Sequence, residues 1–138
     1  EFDYERSLGL FEAALVRDDP LQALHDLLDF FFHGLEGAAA LGAPRVNVQG
    51  WGEALVNPPL LETIQRTRSS YLAALMQLIR KAQASGQIDP SLDPQAVGQM
   101  LLSLYYGLEL QMALDSAGAV EPYARAIKAL LFSAAQPT

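Results

Sequence analysis

The apolar positions along this chain recur at helical intervals almost throughout. From Tyr4 to Val16 the residues Tyr4, Leu8, Phe11 and Leu15 fall on one helical stripe, which Arg17-Asp18-Asp19-Pro20 ends. Asp19 as a cap and Pro20 in the first turn predict the start of a second helix. Its apolar face is Leu21, Leu24, Leu28, Phe31, Phe32 and Leu35, and Gln22, His25, Asp26, Asp29, His33 and Glu36 share the opposite side. Gly34 to Pro44, rich in glycine, reads as a loop or a broken helix end. Val48, Trp51 and Leu55 then share one side of a short helix. Gly50 and Gly52 each cost that helix up to about 1 kcal/mol of propensity, so tertiary contacts, chiefly the indole, must hold it.

Asn57-Pro58 opens the longest helix, which runs to about Ser85. Leu61, Ile64, Arg68, Tyr71, Leu75, Leu78 and Ala82 step along it, with Arg68 interrupting the apolar series. A guanidinium there must pair with a carboxylate such as Glu53, meet an anionic ligand, or reach out of the fold. Gly86 closes the helix as a left-handed residue, with Ile88 as the apolar contact after it. Asp93-Pro94 starts the next helix, to Ser116, and this one has two apolar faces. Val97, Leu101, Leu104, Tyr105, Leu108 and Met112 lie on one side; Ala96, Met100, Ser103, Gly107, Leu110 and Leu114 lie on another. A surface helix needs only one such stripe, so this helix is expected to pack inside its own subunit and against something else. A last helix begins near Glu121-Pro122 and carries the stripe Tyr123, Ile127, Leu130, Leu131 and Ala134. No strand-like alternation of useful length occurs, and the predicted class is all-α.

Composition narrows the function. The 138 residues carry a net charge of −7 and no cysteine. One domain spanning residues 1–138 is the simplest division. The acidic balance argues against this chain gripping a phosphate backbone, and the lack of cysteine removes thiolate metal sites and makes a cytoplasmic location the expectation. No apolar run approaches the ~18 residues of a membrane span. His25, Asp29 and His33 follow one another at four-residue intervals, yet residues eight apart on a helix are separated by about 12 Å, too far to share one ion; no metal or cofactor is expected. Neither histidine has the setting of a nucleophilic triad, and G-W-G-E lacks the strand and Lys-Ser/Thr of a phosphate loop. The reading is of a protein that is not an enzyme.

Three phrases, W-G-E-A-L-V-N-P-P-L, L-I-R-K-A-Q-A-S-G-Q-I-D-P and L-D-P-Q-A-V-G-Q-M-L-L-S-L-Y-Y-G-L, resemble in order and spacing the C-terminal domain of TetR-family transcriptional regulators. The resemblance runs from about Leu8 onward and looks closest to the branch with Trp-x-Glu-Ala in its short middle helix. It implies an antiparallel bundle of about six helices whose last two, Asp93–Ser116 and Val120–Ala134, form a four-helix bundle with their mates in a homodimer. Carried over, the dimer seam comprises Ala96, Met100, Ser103, Gly107, Leu110, Leu114, Ile127, Leu130 and Leu131. The family's N-terminal helix-turn-helix has no counterpart here, so residues 1–17 are expected to be the remainder of the connecting helix and DNA would be met only through that missing part.

The resemblance also implies an apolar pocket for a small effector. Its expected walls are Leu28, Phe31, Phe32, Trp51, Leu55, Tyr71, Leu75, Tyr105 and Met112, with Arg68 as a further ligand contact. Gln111, between the two apolar faces of its helix, is expected to have a buried amide serving either the bundle or a ligand. The expected function is thus the effector-sensing and dimerisation domain of a TetR-type regulator, a repressor. The rival is a free-standing helical dimer that binds a ligand or partner without any DNA role.

Overall fold

The computed structural model describes the backbone of residues 2–115 and 120–132 and the side chains of residues 4–115 and 120–130. Six helices account for it: α1 (Phe2–Leu15), α2 (Pro20–Ala39), α3 (Ala43–Ala54), α4 (Pro58–Ala84), α5 (Pro94–Leu114) and α6 (Val120–Phe132). No strand occurs among the described residues.

The helix starts follow from local chemistry. At α2, Pro20 has no N–H, Leu21 donates to Gln87 Oε1 (3.2 Å), Gln22 donates to Asp19 Oδ1 (3.1 Å) and Ala23 donates to the Asp19 carbonyl (3.0 Å). The open donors of the first turn, Leu21 and Gln22, are thereby used, and the Ala23 bond begins the helical ladder. At α4 two prolines remove two donors, and Asn57 takes the next two with its side-chain and backbone oxygens. Asp93 caps α5 through the Gln95 N–H at 3.0 Å.

The close of α4 is equally definite. Gly86 sits at φ +77°, and the N–H groups of Gly86 and Gln87 donate back to Gln83 and Ala82 (3.1 and 2.8 Å). Those paired bonds form a left-handed helix stop, and the buried Ile88 supplies the apolar contact that accompanies it.

The core lies between α1, α2, α4 and α5, where Phe32, Leu24, Leu78 and Ile79 are almost fully enclosed. Gly98 permits the tight approach of α4 and α5: a Cβ there would stand 2.9 Å from Leu72 Cδ1. The helix α6 packs on α2 through a polar seam. Lys128 reaches Asp29 at 2.8 Å, and His33 donates to the Asp29 carbonyl (2.7 Å) and meets Glu121 (3.0 Å). Both ring nitrogens of His33 face acceptors, which the imidazolium satisfies best, and these bonds hold its pKa above the usual value. The face of α2 read as solvated is therefore in part the dock for α6.

The stretch from Gly34 to Pro44 differs from its reading as a loop. The helix α2 continues to Ala39, and only residues 40–42 separate it from α3. Continued backbone bonding and the burial of Leu35 outweigh the propensity cost of Gly34 and Gly37. Gly42, at φ +77°, is the glycine that the turn itself requires.

Candidate functional site: an aromatic cavity behind an outward apolar face

A cavity of about 500 Å³ opens between four helices. From α1 come Arg6, Ser7 and Phe11; from α2 come Leu27, Leu28, the run Phe30-Phe31-Phe32 and Gly34. Tyr71 and Leu75 of α4 and Leu101, Leu102, Tyr105 and Tyr106 of α5 complete it. Its floor is buried, with Phe11, Phe32, Leu75 and Leu101 each at most 4% exposed, whereas Arg6, Phe30 and Gly34 are exposed and mark the mouth. The size falls within the range of small-molecule sites, and the lining is mostly apolar with few polar groups, as such sites usually are.

Ring contacts organise the walls. Phe31 lies 5.6 Å from Phe11, and 6.4 Å from both Tyr71 and Tyr105, measured between ring centres. These separations are those of favourable edge and offset aromatic pairs. Burial is the main cause raising the pKa of Tyr105 and Tyr106, so both phenols stay neutral and able to donate. At the mouth the Arg6 guanidinium stands 5.9 Å from the centre of the Phe30 ring.

Six residues named from the sequence, Leu28, Phe31, Phe32, Tyr71, Leu75 and Tyr105, line this cavity. The others do not. Trp51 stands one layer back, edge-on to Tyr106 at 5.4 Å. Met112 is buried in the core at 4% exposure. Leu55, which follows the last residue of α3, is 79% exposed and faces away from any wall. Arg68 is exposed, and among the described residues no ion pair joins it to Glu53; it reaches out of the fold and acts through its field on Tyr106. Gln111 is exposed as well. The buried polar residue of this helix is instead Glu109, at 3% exposure, which accepts a hydrogen bond from Asn47 Nδ2 of α3 and whose pKa burial raises. Arg6, Phe11, Phe30 and Tyr106 line the cavity but were not among the walls expected from the sequence. The Phe30-Phe31-Phe32 run, too wide for one stripe, was the available signal for Phe30.

The two faces of α5 separate cleanly. Leu101, Leu108 and Met112 are buried, and Val97, Leu104 and Tyr105 are half-buried against the core. Ala96, Met100, Ser103, Leu110 and Leu114 are exposed, with Gly107 half-buried among them, and a Cβ on Gly107 would meet nothing within 4 Å. On α6, Leu130 is 75% exposed, while Ile127 is spent in the chain's own core at 6%. The side chain of Leu131 lies outside the described residues, as do Ser116 and Ala134 at the predicted helix ends.

Helix order, a cavity in the middle of the bundle and an apolar face left outside it define a helical domain of the TetR type. The chain belongs to the BetI-type transcriptional repressor C-terminal family, whose pattern matches residues 20–134. Its curated relatives include the HTH-type transcriptional regulator UidR of Escherichia coli K12 and that of Shigella flexneri, each 21% identical over 131 residues. The match covers 94% of this chain and 63% of the relative, so the chain spans less than two thirds of the length of these regulators. No solved structure matches it significantly. Among the described residues no helix is long and apolar enough to cross a membrane.

Proposed function

We propose that this chain is the effector-sensing and dimerisation part of a TetR-type repressor, and that a small, largely apolar molecule is its signal. The observation that carries the reading is the ring-lined cavity between α1, α2, α4 and α5. Three of its lining residues, Arg6, Ser7 and Phe11, come from α1. A bound molecule touching them favours one placement of α1 over another, and through α1 one placement of the DNA-reading part that would precede it. Such coupling requires the effector to bind the two placements with different affinity. The outward face of α5, joined by Leu130, supports pairing with a second copy. That pairing would set the spacing of two DNA-reading parts.

Trp51 supplies the test. Its indole contacts Tyr106, a cavity wall, so a ligand that shifts Tyr106 changes the indole's surroundings. A bulky apolar ligand from a broad hydrophobic panel is expected to alter Trp51 emission and raise the melting temperature. At a hundredfold excess over Kd the stabilisation is about 2.7 kcal/mol. If emission and melting temperature ignore every member of the panel, the cavity is not an effector site.

A further inference from the structure

Resting on the reading of the cavity as an effector site, we infer that its ligand is an amphipathic organic anion: an acidic head held by Arg6 at the mouth and an apolar body lying among the rings. Arg6 is the one charged side chain that lines the cavity. Among the described residues no ion pair engages it; its recorded contact is the ring of Phe30, 5.9 Å away. A cation over a ring uses the charge of the guanidinium and none of its N–H donors. The planar fork that matches a carboxylate in two parallel hydrogen bonds is therefore left for a ligand. A neutral ligand would gain nothing from that charge, and a cationic one would be repelled by it.

The surroundings favour the same sign. Glu5 and Glu12 share α1 with Arg6, but both are exposed and neither lines the cavity. The nearest carboxyl behind the walls is Glu109, which is buried against Asn47 and holds its proton more tightly than an ordinary glutamate, so it opposes an anion less than a free carboxylate would. Arg68 adds positive potential from the Tyr106 side. Deeper in, the hydroxyls of Tyr71 and Tyr105 have no protein hydrogen bond among the described residues and can take a second polar atom of the ligand. Between them and Arg6 the lining is Phe11, Phe31 and aliphatic side chains, which suit a body without charge.

A matched trio with one tail and three heads tests the charge directly: decanoate and decyltrimethylammonium below their micelle concentrations and decanol below its solubility limit, near neutral pH. The flexible alkyl tail conforms to a cavity of this size, so differences among the three report the head. Titration calorimetry should find decanoate tightest, by about tenfold over decanol, as expected for a charge-assisted hydrogen bond, with the ammonium weakest. Arg6→Gln should bring decanoate level with decanol, and Arg6→Glu should move the ammonium ahead of decanoate. Arg6 is solvent-exposed, so both variants should keep their helix content, which circular dichroism verifies. If the trio binds alike, or if decanoate keeps its lead in Arg6→Gln, the anion assignment is overturned while the effector cavity stands. If none of the three binds, the anion assignment falls, and the hydrophobic panel read through Trp51 decides separately whether the cavity reading stands.

Discussion

The two faces of α5 are made of similar residues and have opposite fates. Leu101, Leu108 and Met112 are each at most 5% exposed, whereas Met100, Leu110 and Leu114 are 41%, 43% and 75% exposed. Leucine and methionine occur on both sides, so side-chain hydropathy alone does not distinguish them. The inward face has large residues and one glycine, Gly98, at the point where α4 comes closest. The outward face intersperses its large residues with Ala96, Ser103 and Gly107, a texture that leaves room for another helix to come near. Apolar surface that a chain does not cover itself usually marks an interaction site. The contrast teaches that one helix can serve the core of its own subunit and still carry apolar surface that the subunit leaves uncovered.

The largest effect should come from comparing one leucine on each face. Leu101→Ala removes a side chain buried against α2 and α4 and should cost about 2–5 kcal/mol in denaturant unfolding, as large-to-small core changes do. Leu110→Ala should leave the subunit's own stability within about 0.5 kcal/mol when unfolding is followed at concentrations too low for pairing. Equal losses in the two variants would erase the distinction between the faces.

Next in size is Gly107→Leu. The site is open within the subunit, so the variant should keep its fold. Light scattering should nevertheless show the dimer weakened, its dissociation constant raised about tenfold or more, roughly 1.4 kcal/mol of association energy. A dimer of unchanged strength would mean that the two copies meet elsewhere.

The smallest effect sharpens the comparison at Glu109, which is polar yet buried. Burial raises its folded pKa above the ordinary 4.5. The folded state thus holds this proton more tightly than the unfolded state. The advantage is fully present below pH 4.5 and is lost as pH rises through the folded value. Glu109→Gln keeps an oxygen for Asn47 and removes the titration. It should change stability at neutral pH by less than about 1 kcal/mol and flatten the slope above pH 4.5. A slope identical to that of the unmodified chain would show that Glu109 titrates as an ordinary surface acid.

Much of the fold was legible in the sequence because its punctuation is local. Asp19-Pro20, Asn57-Pro58, Asp93-Pro94 and Gly86 act through bonds that span three to six residues. They placed the starts of three helices and the end of the longest one correctly. Periodicity separated the two faces of α5 for the same reason. Long-range facts were less accessible. Lys128 pairs with Asp29 across 99 positions, and no local rule links them. Gln111, expected to be buried, is exposed and Glu109 is buried instead, because burial at the border between two stripes depends on where α3 lands, and Asn47 of α3 comes to Glu109. In the candidate site, Phe31 and Phe32 of α2, Tyr71 of α4 and Tyr105 of α5 lie on their helices' stripes, whereas Phe30 and Tyr106 do not. Arg6 was not legible, because a single cation at the mouth of a cavity has no periodic signature. Trp51 could be read as wall or core, and it stands behind the wall.

The side chain of Gln87 joins two helix ends that are 66 positions apart in sequence. Its oxygen accepts from the Leu21 N–H and from the Ser85 hydroxyl, and its nitrogen donates to Asp19 Oδ1 at 2.7 Å. That last bond is also the main cause lowering the Asp19 pKa. Fraying of the first turn of α2 therefore also breaks the side-chain bonds that tie Gln87 to Leu21 and Asp19. Opening either segment costs bonds held by the other, so the two are coupled. One amide side chain thereby fastens the start of α2 to the end of α4.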